Sequence, residues 1–140
     1  MATFQLWLDA SLVTPCPNPI PFTQSTDGSI APVDLQLWAG LTDAGRLVQE
    51  KLNPGVNQIT ISSFDSAIGT GFSTSGVKLA LTQGGLAGAT PGASLNIGLS
   101  IASGAGNAVP FWVRVTSSGG VERVESDVHL KSNDCLVYIV

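Results

Sequence analysis

The sequence predicts an all-β protein, an antiparallel β-sandwich of immunoglobulin-like or jelly-roll type, carrying an extended proline-rich N-terminal arm. Three observations predict it. Apolar and polar residues alternate with period two along most of the chain, as in strands with one buried and one solvated face. Sixteen Gly and eight Pro, with many Ser and Thr, punctuate these runs at intervals that suit turns. Charged residues make up only 11% of the 140 positions, against about 25% in an average domain, so the long charged faces of helical bundles are missing. The length fits one domain spanning residues 1–140, with 14–32 as the arm.

The first strand runs through Phe4, Leu6 and Leu8, with Gln5, Trp7 and Asp9 on the opposite face. Residues 14–32 hold Pro15, Pro17, Pro19, Pro21 and Pro32, each of which lacks a backbone donor, so an extended polyproline-like arm with Phe22 inside it is expected. Val33, Leu35 and Leu37 then alternate with Asp34, Gln36 and Trp38, Ile59 and Ile61 with Gln58, Thr60 and Ser62, and Val77, Leu79 and Leu81 with Lys78, Ala80 and Thr82. Between these, 65–76 is a Gly/Ser/Thr loop, and 83–92 is expected to hold a helical turn near Leu86 to Ala89.

The two clearest strands are Leu95, Ile97, Leu99, Ile101 and Val109, Phe111, Val113, Val115, joined by the small residues 103–107, a connection of hairpin length. After the turn 117–120, Val124, Val128 and Leu130 point inward, and Arg123, Glu125, Asp127 and His129 outward. The last run, Cys135 to Val140, is apolar on both faces, so it belongs at the centre of the fold or against another chain. A short echo links Phe4-Gln5-Leu6-Trp7 to Leu35-Gln36-Leu37-Trp38, which four strand-like positions explain by chance.

Composition and motifs narrow the function. The formal charge is −4, and the six Lys and Arg are scattered singly, which speaks against direct nucleic-acid binding. No apolar run approaches the roughly 20 residues of a membrane helix, and a basic, apolar, small-residue leader is not found at Met1 onward, so neither membrane insertion nor leader-directed secretion is expected. Cys16 and Cys135 have neither zinc nor redox spacing; two unlinked thiols are expected, with one bridge from the arm to the last strand as the alternative. His129, the sole histidine, reads as a surface strand residue, and no Gly-x-Ser-x-Gly, His-Glu-x-x-His, P-loop or dinucleotide motif occurs. Glu122 falls opposite Glu125 and Asp127, and no calcium-loop spacing is present. No catalytic residue, metal or cofactor is therefore expected.

Interaction residues are easier to nominate. Trp7, Trp38 and Trp112 fall on nominally outer faces, where they suit an interface, a sugar-stacking platform, or burial beneath loops. Pro15, Pro17, Pro19, Pro21 and Phe22 in the arm, and Leu136, Tyr138 and Val140 in the last strand, are the other interface candidates.

The stretches 33–40 (VDLQLWAG), 53–56 (NPGV) and 107–115 (NAVPFWVRV) resemble small structural proteins of tailed bacteriophages, over roughly residues 33–130. The resemblance implies a virion location after synthesis in the host cytoplasm and carries over no functional residues. The expected role is a capsid decoration protein bound as a homo-oligomer to the major capsid protein. A tail, neck or tail-tip module is the alternative within that class, and a carbohydrate-binding or adhesion domain the alternative outside it.

Overall fold

The structure is a computed structural model that describes residues 4–16, 22–23, 33–65, 77–115, 124–125 and 128–139, with 22–23, 33, 64–65, 124–125 and 128 as backbone only. It is all-β, and every strand pairing among the described residues is antiparallel. The strands are β1 (Gln5–Trp7), β2 (Phe22–Thr23), β3 (Val33–Gly40), β4 (Arg46–Glu50), β5 (Ile59–Asp65), β6 (Val77–Ala80), β7 (Leu95–Gly98), β8 (Ser100–Ala102), β9 (Val109–Val115), β10 (Val124–Glu125), β11 (Val128–Ser132) and β12 (Cys135–Ile139).

One sheet has the order β1-β3-β9-β6. Its inward residues follow the alternation: Leu37 and Ala39 of β3, Phe111, Val113 and Val115 of β9, and Val77 and Leu79 of β6 are buried. Leu37 lies opposite Phe111, both with no exposed surface. The echoed segments become neighbours, with Trp7 opposite Trp38.

Two further sheets, β11-β5-β7 and β12-β4-β8, line up end to end. β4 and β5 form an interrupted middle strand, flanked by β12 then β11 read backward on one side and by β8 then β7 on the other. Residues 51–58 leave the sheet between β4 and β5, and hydrogen bonds close the seam behind them. Lys51 N–H donates to Asp134 O at 2.9 Å, Asn133 N–H to Thr60 O at 3.1 Å, and Thr60 N–H to the Asn133 side-chain oxygen at 3.0 Å. Asn133 Nδ2 donates to Gln58 O at 3.0 Å, and Gly98 N–H to Gln58 Oε1 at 3.0 Å. Side-chain amides thus replace the backbone partners that the excursion removes. Val48, Ile59, Ile61, Ile97, Ile101 and Leu130 of this layer join the buried residues of β3, β6 and β9 in one apolar cluster.

Several expectations change. The single strand expected from Leu95 to Ile101 is two: Gly98 adopts φ 133°, the partner switches from β5 to β4, and Leu99 turns outward at 42% exposure. Residues 103–107 do not close a hairpin, because β8 pairs with β4 whereas β9 pairs with β3 and β6; the chain crosses between sheets through a 3₁₀ turn at Ala105–Asn107. The strand expected through Val77, Leu79 and Leu81 is β6, which ends at the buried Ala80 and leaves Leu81 exposed. The helical turn is a 3₁₀ turn at Gly84–Leu86, slightly earlier than expected. β4 escaped the alternation because Leu47 and Val48 are adjacent apolar residues facing opposite sides. Phe22–Thr23, within the expected arm, pair with β10 as a strand; 17–21 and 24–32 lie outside the described residues, as does most of the loop 65–76. Among the described residues the last strand is not central: β12 pairs with β4 alone and ends its sheet.

Candidate functional site

Strand register places all three tryptophans on one face of the four-stranded sheet. Trp7 is opposite Trp38, Trp38 opposite Pro110, and Gln36 opposite Trp112, so Trp112 is the diagonal neighbour of Trp38. Their exposures differ. Trp7, nominated as an outer-face contact, is only 7% exposed. The chain after β1 doubles back, with Leu8 N–H donating to Thr14 O at 2.8 Å, Cys16 N–H to Leu6 O at 2.9 Å, and Trp7 bridged to Pro15. Asp9 fixes that turn by accepting from Val13 N–H and Thr14 N–H, both at 2.9 Å, and the Val13 bond foremost holds its carboxyl below the usual range. Leu12, with φ 56°, is buried where its Cδ1 lies 3.0 Å from the position a Cβ on Gly40 would take. Trp7 Nε1 donates to Gly40 O at 3.1 Å, so this indole is sealed structure rather than a contact residue.

Trp38 and Trp112 remain half-buried beside a polar row in which Asp34 lies opposite Arg114 and Arg114 opposite Lys78. Arg114 Nε donates to Asp34 Oδ1 at 2.7 Å and its Nη2 to Oδ2 at 3.0 Å, a two-pronged pair that Gln83 Nε2 joins at 3.3 Å. Hydrogen bonding from Arg114 is the main reason the Asp34 carboxyl titrates below its ordinary range.

The second surface is the end of the three-stranded layer formed by β12, β4 and β8. Val137, Val48 and Ile101 form an inward row, so Tyr138, Leu47 and Ala102, and then Leu136, Gln49 and Ser100, form outward rows. Leu136 is 43% exposed, Tyr138 and Leu47 are half-buried, and Ile139 at the strand end is 80% exposed. The 51–58 excursion lies against this face, since a Cβ on Gly55 would meet Gln49 Nε2 at 3.4 Å, and it presents Leu52 and Val56 to solvent. Glu50 anchors the excursion from a buried position, its Oε2 accepting from Leu52 N–H and Asn53 N–H at 2.9 Å and from Asn57 Nδ2 at 3.1 Å. These donors, Asn53 N–H first, pull its carboxyl below the usual range. Reading for alternation missed Glu50, Leu52 and Val56; the turn Asn53-Pro54-Gly55 was the available signal.

Of the other nominated contact residues, Pro15 is exposed beside Trp7 and Phe22 is placed as backbone in β2; Pro17, Pro19, Pro21 and Val140 lie outside the described residues. Cys16 and Cys135 are not joined in a disulfide, and each is half-buried against the core. Burial pushes Cys16 up to about 11 and also raises Cys135, whose Sγ donates to Asn133 O at 3.2 Å. His129 is half-buried next to inward Leu130, in keeping with an outward strand position. Among the described residues no group of three or more His, Cys, Asp or Glu is arranged to hold a metal ion, and no helix is long and apolar enough to cross a membrane. Comparison of the chain with family models, with curated proteins and with solved structures gives no match.

Proposed function

We propose that the chain is a non-enzymatic structural subunit of a bacteriophage virion, a capsid decoration protein that binds the major capsid lattice through an apolar sheet face. The two layers make a β-sandwich in this reading. One observation carries the proposal: Leu52, Val56 and Leu136 are exposed together on the outward side of the β12–β4 end, with Ile139 exposed at the tip of the strand, although the core is already closed by Phe111, Leu37, Val48 and Ile61. Apolar side chains beyond what the core needs, grouped at one end of a layer, suit burial against another protein. Repeated over a lattice, such contacts would oppose internal pressure additively. Residue texture at 33–40 and 107–115 supports the virion setting.

Quantitative mass spectrometry of gradient-purified particles of the encoding phage tests the reading. Hundreds of copies per particle are expected. A handful would move the protein to the tail, neck or tail tip, and absence from particles would overturn the proposal.

A second reading rests on the half-buried Trp38 and Trp112 beside the Asp34–Arg114 pair, aromatic and planar polar groups of the kind that hold a sugar ring. It requires tryptophan fluorescence to shift on titration with host polysaccharide, and an unchanged spectrum discards it.

A further inference from the structure

We infer that β12 is a self-association edge, pairing antiparallel with β12 of a second copy about a two-fold axis through Val137. The direction of its backbone groups supplies the first step. Lys51 N–H donates to Asp134 O, and these residues are opposite one another because Cys135 is opposite Glu50. Hydrogen-bonded and non-hydrogen-bonded pairs alternate in an antiparallel ladder, so Leu136 and Tyr138 turn their N–H and C=O toward β4. The opposite side of the middle strand agrees: Ser103 N–H donates to Arg46 O, which directs Arg46 and Val48 to β8 and leaves Leu47 and Gln49 for β12. Cys135, Val137 and Ile139 therefore point their backbone donors and acceptors away from the sheet, along an edge with no partner strand among the described residues.

The other edges are managed differently. Pro15 and Cys16 cover β1, and Gly92 N–H donates to Val77 O at the outer side of β6. The β7–β8 edge is kinked at Gly98 and carries the exposed polar residues Asn96 and Ser100. By contrast, β12 contains no charge, no proline and no bulge, the devices that ordinarily block strand addition.

The occupant that fits is a second copy. Centred on Val137, the pairing sets Val137 against its own counterpart and Cys135 against Ile139 of the other copy, so all the outward-pointing backbone groups of β12 are used. Leu136 then meets Tyr138 of the other copy in a non-hydrogen-bonded pair, where side chains approach most closely. Ile139, 80% exposed in the single chain, gains the half-buried Cys135 as its cross-strand neighbour. The axis stands perpendicular to the sheet, so the apolar outward rows of the two copies merge into one face. A strand-edge contact is at the small end of protein interfaces, so association is to be sought across a wide micromolar range.

This inference concerns the free protein and is independent of the particle reading. Sedimentation velocity from about 1 to 200 µM should show a monomer–dimer equilibrium for the full chain. Ile139→Lys, at a position that the core does not use, should raise the dissociation constant at least about tenfold with an unchanged circular dichroism spectrum. Ile139→Cys should give a covalent dimer under mild oxidation through the native Cys135 of the other copy, and adding Cys135→Ser should abolish it. A wild-type chain monomeric at 200 µM, a dimer indifferent to Ile139→Lys, or a cross-link that survives Cys135→Ser would each overturn the inference. A monomer that still loads particles in hundreds of copies removes the dimer and leaves the particle reading intact; a dimer missing from particles does the reverse.

Discussion

Phe111→Ala tests whether the two strand layers share one core. Phe111 lies in β9, between β3 and β6, with no exposed surface and with the equally buried Leu37 opposite. Truncation removes most of the ring and leaves a void that neighbours on strands fixed by their ladders fill only in part, a change that costs about 3–5 kcal/mol. Domains of this size are stable by about 5–15 kcal/mol, so a large share would go. With an unfolding entropy of about 2.1 cal/mol/K per residue, 140 residues give about 0.3 kcal/mol/K, and a loss of 4 kcal/mol lowers Tm by about 13 °C. In urea, with a slope of about 2 kcal/mol/M, the midpoint should fall by about 2 M. Leu52→Ala is the control: the side chain is 84% exposed, and its truncation should change stability by less than about 0.5 kcal/mol. Urea denaturation followed by tryptophan fluorescence measures both. A cost below about 1 kcal/mol for Phe111→Ala, or a larger cost for Leu52→Ala, would refute the placement of the core.

Two other expectations follow from ionisation. The Glu50 carboxyl titrates below its ordinary 4.5 because Asn53 N–H and Leu52 N–H bind the charged form. A depressed folded-state value contributes stability that is present above pH 4.5 and lost as pH falls through the folded-state value, so urea midpoints should drop on acidification, and less steeply in Glu50→Gln. An equal acid slope in the variant would show that Glu50 does not carry it. Cys16, pushed up to about 11 by burial, should react with a thiol reagent at pH 8 about a hundredfold more slowly than an exposed thiol of ordinary value 9.0, and at full speed in urea. Fast reaction in the native state would show that Cys16 is not packed against the core.

The alternation made the strands legible because burial on one face of a sheet imposes period two directly on the sequence: Leu37, Ile59, Ile61, Val77, Leu79, Phe111, Val113 and Val115 face the core as the pattern required. The same pattern put Trp7 on an outer face, and register confirms the face; only the turn that lays Leu12 over Gly40 decides that the indole is buried. β4 was hidden because its apolar pair Leu47 and Val48 serves opposite sides of the sheet, and the switch at Gly98 was hidden because period two persists across a change of partner.

The sequence by itself determined the class, all-β with antiparallel pairing, because side-chain alternation and turn composition are local properties of the chain. The apolar character of residues 135–140 was equally local. Whether that apolar strand sits inside or at an edge depends on which strand takes the other side of β4, and that is a long-range choice: β8 arrives there and β12 closes the layer on one side only. Tertiary structure thus placed an apolar C-terminal run at an edge among the described strands, since backbone hydrogen-bonding capacity is identical in every strand and only the arrangement of neighbours decides where it is met.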